Sequence, residues 1–491
     1  MKRNVVVIGG GIAGLNAGIE LLQKGHKVTL IEKNNTVGGL FSGYEVNGFY
    51  IDACIHWLMG TKKGTALYGL WENIDGLNDD VEIIGLDSFV TVDYQGTKVR
   101  LGRDIEKTRK EWLAISPEDE EEINRFFDVT LAVGTVMEGF LNSDFKRRPS
   151  EFYELAKKSP AIIESMNMSR EEYAERFDHP ALRFAITNFM TGYNNAFFLF
   201  DAYSLFIDGN ADVPKGGAGY LIERVKNKFL SLGGTLLLNE EVTELGLKNG
   251  KVKTVKTSKD RVLRPHSVVC TVDPAYAIEH WLGEEYRIPR IEKARKRINR
   301  NPTISSFNIY LAIDGDLSFL EGPTLIDIPP VLVGRSAVNY LLIRPYGFDP
   351  DHFVRNGKTV VSLFVDQDHR DYQYYKSLSK ERLAQVEQRI QEDLLNALLN
   401  RYPQLKDRIQ VLTLFGPIEI EERFHTSFGA FQSYSFTDLK SFYRAEGKIK
   451  GIKNLFFCGQ WTRSVGGSPT ALITSHKIVS KIHSLPFRIR K

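Results

Sequence analysis

Four apolar residues in a row, Val5-Val6-Val7-Ile8, run straight into Gly9-Gly10-Gly11-Ile12-Ala13-Gly14, and this junction constrains the fold more than any other stretch of the chain. The apolar run reads as a strand buried on both faces, and the glycines turn sharply out of it. A helix is predicted next. Its apolar positions Ile12, Leu15, Ile19 and Leu22 recur at helical spacing, Lys24 falls in the last turn and Gly25 follows the C-terminus. A second strand, Val28-Thr29-Leu30-Ile31, then delivers Glu32 at its end. The whole is one βαβ unit of the length that a dinucleotide fingerprint requires.

Each part has a physical task. Gly9 permits the tight turn, and Gly11, with Ile12 and Ala13 behind it, lets backbone N–H groups approach a pyrophosphate at the positive end of the helix. Gly14 lets helix and strand pack closely, and Glu32 can accept from ribose hydroxyls; an acid there argues against a 2′-phosphate. The continuation Glu32-Lys33-Asn34-Asn35-Thr36-Val37-Gly38-Gly39-Leu40 resembles the extended fingerprint of the FAD-containing two-dinucleotide-binding flavoproteins. There, the Gly-Gly pair brings the chain back against the pyrophosphate, so the resemblance adds Lys33, Gly38, Gly39 and Leu40 to the cofactor set.

The bulk figures exclude other classes. An apolar fraction of 42% with 25% charged residues is that of a globular chain, and a net charge of +3 over 491 residues does not point to nucleic acid. Cys54, Cys270 and Cys458 stand alone in their segments, so no metal or redox pair follows from spacing and a reducing, cytoplasmic setting is expected. Met1-Lys2-Arg3-Asn4 leaves no room for a secretory signal, and no apolar run reaches the ~18 residues of a membrane span.

Along the chain, Phe41 to Asp52 reads as a hairpin turned at Asn47-Gly48, and Ala53-Cys54-Ile55-His56-Trp57 follows it. Residues 68–212 are expected to form a helix-rich insertion. Within it Ser116 should cap a helix with Pro117 at its first position and Glu118 to Glu122 as a solvated first turn, not a metal site. Val213 to Gly219 returns the chain to the nucleotide domain. A helix with Ile222, Val225, Phe229 and Leu232 on one face, strand Thr235 to Leu238, a hairpin across Asn249-Gly250 and strand Ser267 to Thr271 follow. No second glycine fingerprint appears, so no separate NAD(P) domain is expected. Residues 303–434 read as a second insertion, mostly antiparallel strands with a long amphipathic helix through Leu383, Val386, Ile390, Leu394 and Leu398. The expected fold is α/β: a Rossmann-type, glutathione-reductase-like FAD-binding domain from 1–67, 213–302 and 435–491, with an inserted α+β substrate domain from 68–212 and 303–434.

Taken in order, the fingerprint, Val213-Pro214-Lys215-Gly216-Gly217-Ala218-Gly219-Tyr220-Leu221, Asn239-Glu240-Glu241-Val242, Val272-Asp273-Pro274-Ala275-Tyr276, Glu422-Arg423-Phe424 with Gly429, and Asn454-Leu455-Phe456-Phe457-Cys458-Gly459 resemble one group. It is the phytoene desaturase, carotenoid isomerase and retinol saturase group of the amine-oxidase-like FAD superfamily. The resemblance implies that Val242 holds the adenine through its backbone, Gly459-Gln460 lies near the ribityl chain, and Thr470-Ala471 opens a helix facing the flavin's pyrimidine end. Gln460 departs from the acid usual there, although an amide can still bond a hydroxyl. His56 occupies the place of a family element that leads under the isoalloxazine and is the one candidate for proton transfer. Residues 192–207 correspond to the helix that faces substrate.

The implied activity is hydride transfer between flavin N5 and C–C or C=C bonds of a hydrophobic polyene, isoprenoid or lipid-like substrate, as desaturase, saturase or isomerase. The alternatives are an amine-oxidase-like flavin oxidase and a non-catalytic lipid- or partner-binding protein of the GDP-dissociation-inhibitor type. Peripheral membrane contact through the aromatic stretch near 196–207 and the tail Arg488-Ile489-Arg490-Lys491 stands against a simple frayed basic terminus.

Overall fold

A computed structural model describes residues 2–54, 56–141, 159–190, 192–193 and 195–484. The N-terminal strand Asn4–Ile8 sits inside a six-stranded sheet. The order is Thr235–Leu237, Lys27–Ile31, Asn4–Ile8, Ser267–Cys270, Leu455–Phe457 and Gly447–Lys448. All pairs are parallel except the last. Parallel strands covered on both faces lose all contact with water, which is why Val5 to Ile8 and Ser267 to Cys270 are uninterrupted buried runs. One face is covered by the helix Ile12–Gln23 and by the closing helix Gly467–His483, tied together where Asn16 donates to Ser475 Oγ at 2.7 Å. Cys270 ends its strand and Cys458 follows directly on the neighbouring strand Leu455–Phe457, but the two belong to separate apolar clusters.

A second, eight-stranded sheet gathers Ile409–Phe415, Ser305–Asp314, Lys358–Gln367, Ser336–Pro345, Thr324–Val333, Ser88–Tyr94 and Thr97–Gly102 in that order, with Val354–Arg355 paired to Lys358–Gln367. It is antiparallel apart from the contact between Thr324–Val333 and Ser88–Tyr94. That parallel contact joins both sequence insertions into one sheet. Strand alternation divides its faces. Phe307, Ile309, Leu311, Leu341, Ile343 and Leu363 pack on Val386, Ile390 and Leu394 of the helix Lys380–Arg401. On the opposite face, registers Asn308/Phe364/Leu342 and Tyr310/Ser362/Arg344 cross the sheet in two rows.

The helices of the first insertion, Ile105–Ile115 to Phe197–Ile207, differ locally from expectation. Ser116 does not cap: its hydroxyl donates to the Asp119 carboxylate at 2.7 Å, and Pro117–Asp119 is a 3₁₀ turn before the helix Glu120–Leu141. Asp119 is buried, not solvated, because its oxygens accept the backbone N–H groups of Asp178 and His179. A carboxylate holding three donors staples two helical segments, and those donors draw its pKa below the ordinary value against the effect of burial. Leu232 is 36% exposed as the C-cap of the helix Gly217–Ser231, so the buried face of that helix ends at Phe229. The tail Arg488-Ile489-Arg490-Lys491 lies outside the described residues. Among the described residues no helix is long and apolar enough to cross a membrane.

Candidate functional site

One cavity of about 1150 Å³ runs from the N-terminal fingerprint to the space between the eight-stranded sheet and the helix Phe197–Ile207. It exceeds the ~300–1,000 Å³ of a single small-molecule site. Fourteen of the fifteen expected cofactor residues line it: Gly9, Gly11, Ile12, Ala13, Glu32, Lys33, Gly38, Gly39, Leu40, Val242, Gly459, Gln460, Thr470 and Ala471. Gly14 stands behind the lining. A Cβ at Gly14 would collide with the Gly9 carbonyl, so it serves the close packing of turn and helix. Gly9 has φ +100°, and a Cβ there would sit 2.6 Å from Thr271 Oγ1. Gly38 N–H donates to Gly10 C=O at 2.9 Å, which lays the second glycine pair against the first loop.

At the strand end Glu32 organises this cradle. Its Oε2 accepts Gly10 N–H at 2.8 Å, and its Oε1 accepts both N–H groups offered by Asn34, backbone and side chain. Lys33 reaches across to the helix Pro417–Phe424, donating to Glu422 C=O at 2.6 Å beside His425, and burial lowers its pKa. His425, at φ 52°, stacks on Tyr276 with ring centroids 4.2 Å apart and lies 3.0 Å from Glu241 Oε1. This Lys33–His425–Glu241 group borders Val242, the first residue of the strand Val242–Leu247. Sequence reading missed His425 and Glu241 as site residues, because the two come together only in the folded chain.

At the other end of the cradle, Gly459 takes φ +103° and donates to Thr474 Oγ1 at 2.9 Å. Gln460 faces backbone on both sides: Oε1 accepts Gly467 N–H at 2.9 Å and Nε2 donates to Phe431 C=O at 3.2 Å. A carboxylate could make the first bond but not the second, which accounts for an amide here. Thr470 Oγ1 donates to Val465 C=O at 2.7 Å, leaving the helix start to its backbone.

Three helix starts can be compared. That of Gly217–Ser231 is satisfied from within, since Asp52 Oδ2 accepts Ala218 N–H and Tyr50 Oη accepts Gly219 N–H, both at 2.8 Å. The starts of Ile12–Gln23 and Gly467–His483 have glycine at the N-cap and no cap from that residue's side chain, and both open on the cavity. Two such positive ends, a cradle that Cβ atoms would fill and a carboxylate at the strand end suit a diphosphate-containing dinucleotide with an electron-accepting ring.

The remaining cavity is apolar, walled by Trp57, Phe89, Phe189, Phe197, Phe198 and Phe436 among others. Asn195 starts the helix Phe197–Ile207 by accepting Phe197 N–H at 2.9 Å, and Tyr193 donates to Gln432 Oε1 at 2.5 Å. Asp201 reaches this chamber from the same helix without a donor for its Oδ1 among the described residues, and desolvation pushes its carboxyl up to about 7. The floor is the second face of the eight-stranded sheet, with Ser306, Asn308, Tyr310, Leu342, Arg344 and Phe364. Alternation along these strands was the signal for it, but sequence alone does not tell which face is covered. His56 lines the cavity too, its ring 5.4 Å from Phe364, and burial with the nearby Arg344 charge holds its pKa well below 6.5, so it is neutral at physiological pH.

Comparison with known proteins agrees with this architecture. The model of the family described as flavin containing amine oxidoreductase matches residues 12–476. Curated relatives include a 4,4′-diapolycopene oxygenase of Methylomonas sp, 23% identical over 98% of both chains. Another is a 4,4′-diapophytoene desaturase of Staphylococcus haemolyticus, 23% identical over 97% of this chain and 98% of the relative. Among solved structures, a putrescine oxidase variant superposes with TM-score 0.60 at 15% identity over 98% of each chain. An oxidoreductase from Methanosarcina mazei gives 0.59 at 17% identity over 96% of this chain and 99% of that one. The chain belongs to the flavin-containing amine oxidoreductase family and is an FAD-dependent oxidoreductase.

Proposed function

We propose that this flavoenzyme acts on carbon–carbon bonds of a hydrophobic polyene or isoprenoid, as a desaturase, saturase or isomerase. The observation that carries the reading is the continuity of the cavity: an aromatic chamber opens directly off the dinucleotide cradle. The curated relatives, by name a diapolycopene oxygenase and diapophytoene desaturases, point to the same substrate class. In this reading 1–67, 213–302 and 435–491 hold FAD and 68–212 with 303–434 enclose substrate.

FAD would rest on Gly9, Gly11 and the first helix start, on Glu32, Gly38, Gly39 and Val242, and on Gly459, Gln460, Thr470 and Ala471. Bound there, it supplies a two-electron, hydride-exchanging centre. The protein contributes the rest. Phe89, Phe197 and Phe198 exclude water and orient an apolar chain; the closing helix start favours negative charge beside it. Neutral His56 and the Asp201 carboxyl, which titrates near neutrality, are the groups placed to move a proton. The test is anaerobic: hydrocarbon polyenes and alkylamines are mixed separately with oxidised protein and flavin absorbance is followed. Bleaching by polyenes, or restoration of colour to reduced protein by them, supports the reading; bleaching by amines alone ends it.

A further inference from the structure

The chamber is not uniformly apolar. Four arginines, Arg344, Arg423, Arg444 and Arg463, line the cavity. Arg423 pairs with Glu419, and Arg444 and Arg463 share Glu446. Arg344 is 7% exposed and has no carboxylate in hydrogen-bond contact among the described residues. Its guanidinium donates from Nη1 to the His56 carbonyl at 2.7 Å, and its buried Nε–H has no acceptor among the described residues. Asp52, whose charge it feels, uses both oxygens elsewhere, Oδ1 for Cys54 N–H and Oδ2 for Ala218 N–H. A guanidinium cannot discard its charge as a buried lysine can, so an isolated buried arginine is costly until an anion or strong acceptor reaches it.

The geometry is specific. With Nη1 committed to His56 and Nε closed off from the cavity, Nη2 is the part of the guanidinium left to meet an anion, by a charge-assisted bond. Arg344 stands on the sheet floor in the row of Tyr310 and Ser362, next to the apolar row of Leu342 and Phe364. We propose that Arg344 anchors a carboxylate at the end of an otherwise apolar substrate, so that the molecule turned over is a polyene or isoprenoid acid in place of a pure hydrocarbon. This rests on the polyene reading above and narrows it.

The test uses FAD-loaded protein and three probes: all-trans-retinoate, retinol and a hydrocarbon polyene. Dissociation constants are read from the flavin absorbance change. Wild type should bind retinoate at least tenfold more tightly than the other two. Arg344→Met should weaken retinoate by about 10- to 100-fold, the range of a lost charge-assisted pair, and change the others by less than threefold, with flavin content and flavin midpoint potential unaltered. Equal affinity of wild type for acid and hydrocarbon overturns the proposal without any variant. So does an Arg344→Met protein that loses FAD or shifts its potential while keeping its ligand preference, since the arginine then serves a flavin carbonyl. If neither acid nor hydrocarbon perturbs the flavin, the polyene reading itself fails and this proposal with it. Arg344→Gln gives the same comparison should the methionine variant not accumulate.

Discussion

Replacing Asp201 by Asn tests the character of the chamber directly. Desolvation, with no compensating charge, is what raises this carboxyl from 3.8 to about 7. The unfolded chain restores the ordinary value. Between those two pH values the folded protein therefore holds a proton that the unfolded chain has released, and stability falls as pH rises through the window. At about 1.36 kcal/mol per pH unit, the stretch from about pH 5 to 7 amounts to about 3 kcal/mol. With 491 residues at ~2.1 cal/mol/K each, the unfolding entropy is ~1 kcal/mol/K, so the same stretch is worth about 3 °C of melting temperature. Asn does not titrate, and the fixed cost of burying its amide cancels in a difference between two pH values. Melting curves of wild type and Asp201→Asn at about pH 5 and about pH 8 should show the variant gaining about 3 °C relative to wild type at the higher pH. An unchanged difference would refute the reasoning, because the carboxyl would then be hydrated or paired, and the chamber would not be the water-poor space that the polyene reading requires.

Three other changes probe the cradle and the chemistry. Gly14→Ala places a methyl against the Gly9 carbonyl; overpacking of ~1–3 kcal/mol should weaken FAD binding by about 5- to 100-fold, read as flavin released on dilution. Gln460→Ala removes two backbone contacts, and at ~1 kcal/mol each the apoprotein should melt about 2 °C lower while Gln460→Glu, which keeps the bond to Gly467, recovers part of the loss. His56→Ala should leave flavin content intact and slow flavin reduction or reoxidation in single-turnover mixing; unchanged rates would remove His56 from the proton path.

How much was legible beforehand follows from which interactions are local. The fingerprint, its helix and Glu32 occupy one stretch of 28 residues from Val5, and spacing alone gives their structure because turn, helix and parallel strand each have a characteristic period. The hairpin at Asn47-Gly48 is legible for the same reason, with both residues at positive φ. Ser116 misled because a serine, a proline and a run of five acids make a cap pattern whatever the neighbours. Only the approach of Asp178 and His179 converts Asp119 into a buried acceptor.

The sequence by itself determined the nucleotide half: a strand, a glycine turn and an acid in register require little beyond backbone sterics and helix-end electrostatics. It also determined that residues 303–434 carry mostly antiparallel strands, of which Ser305–Asp314, Ser336–Pro345 and Lys358–Gln367 are three. Tertiary structure decided which of their two faces is packed under Lys380–Arg401 and which floors the cavity. It decided as well that Arg344 stands there with no carboxylate in hydrogen-bond contact among the described residues, while Arg463, 119 residues later, shares Glu446 with Arg444. Burial and partnership are long-range properties. A charge costs nothing notable until the rest of the chain has folded over it, and its meaning appears only when water has been excluded and the available partners are counted.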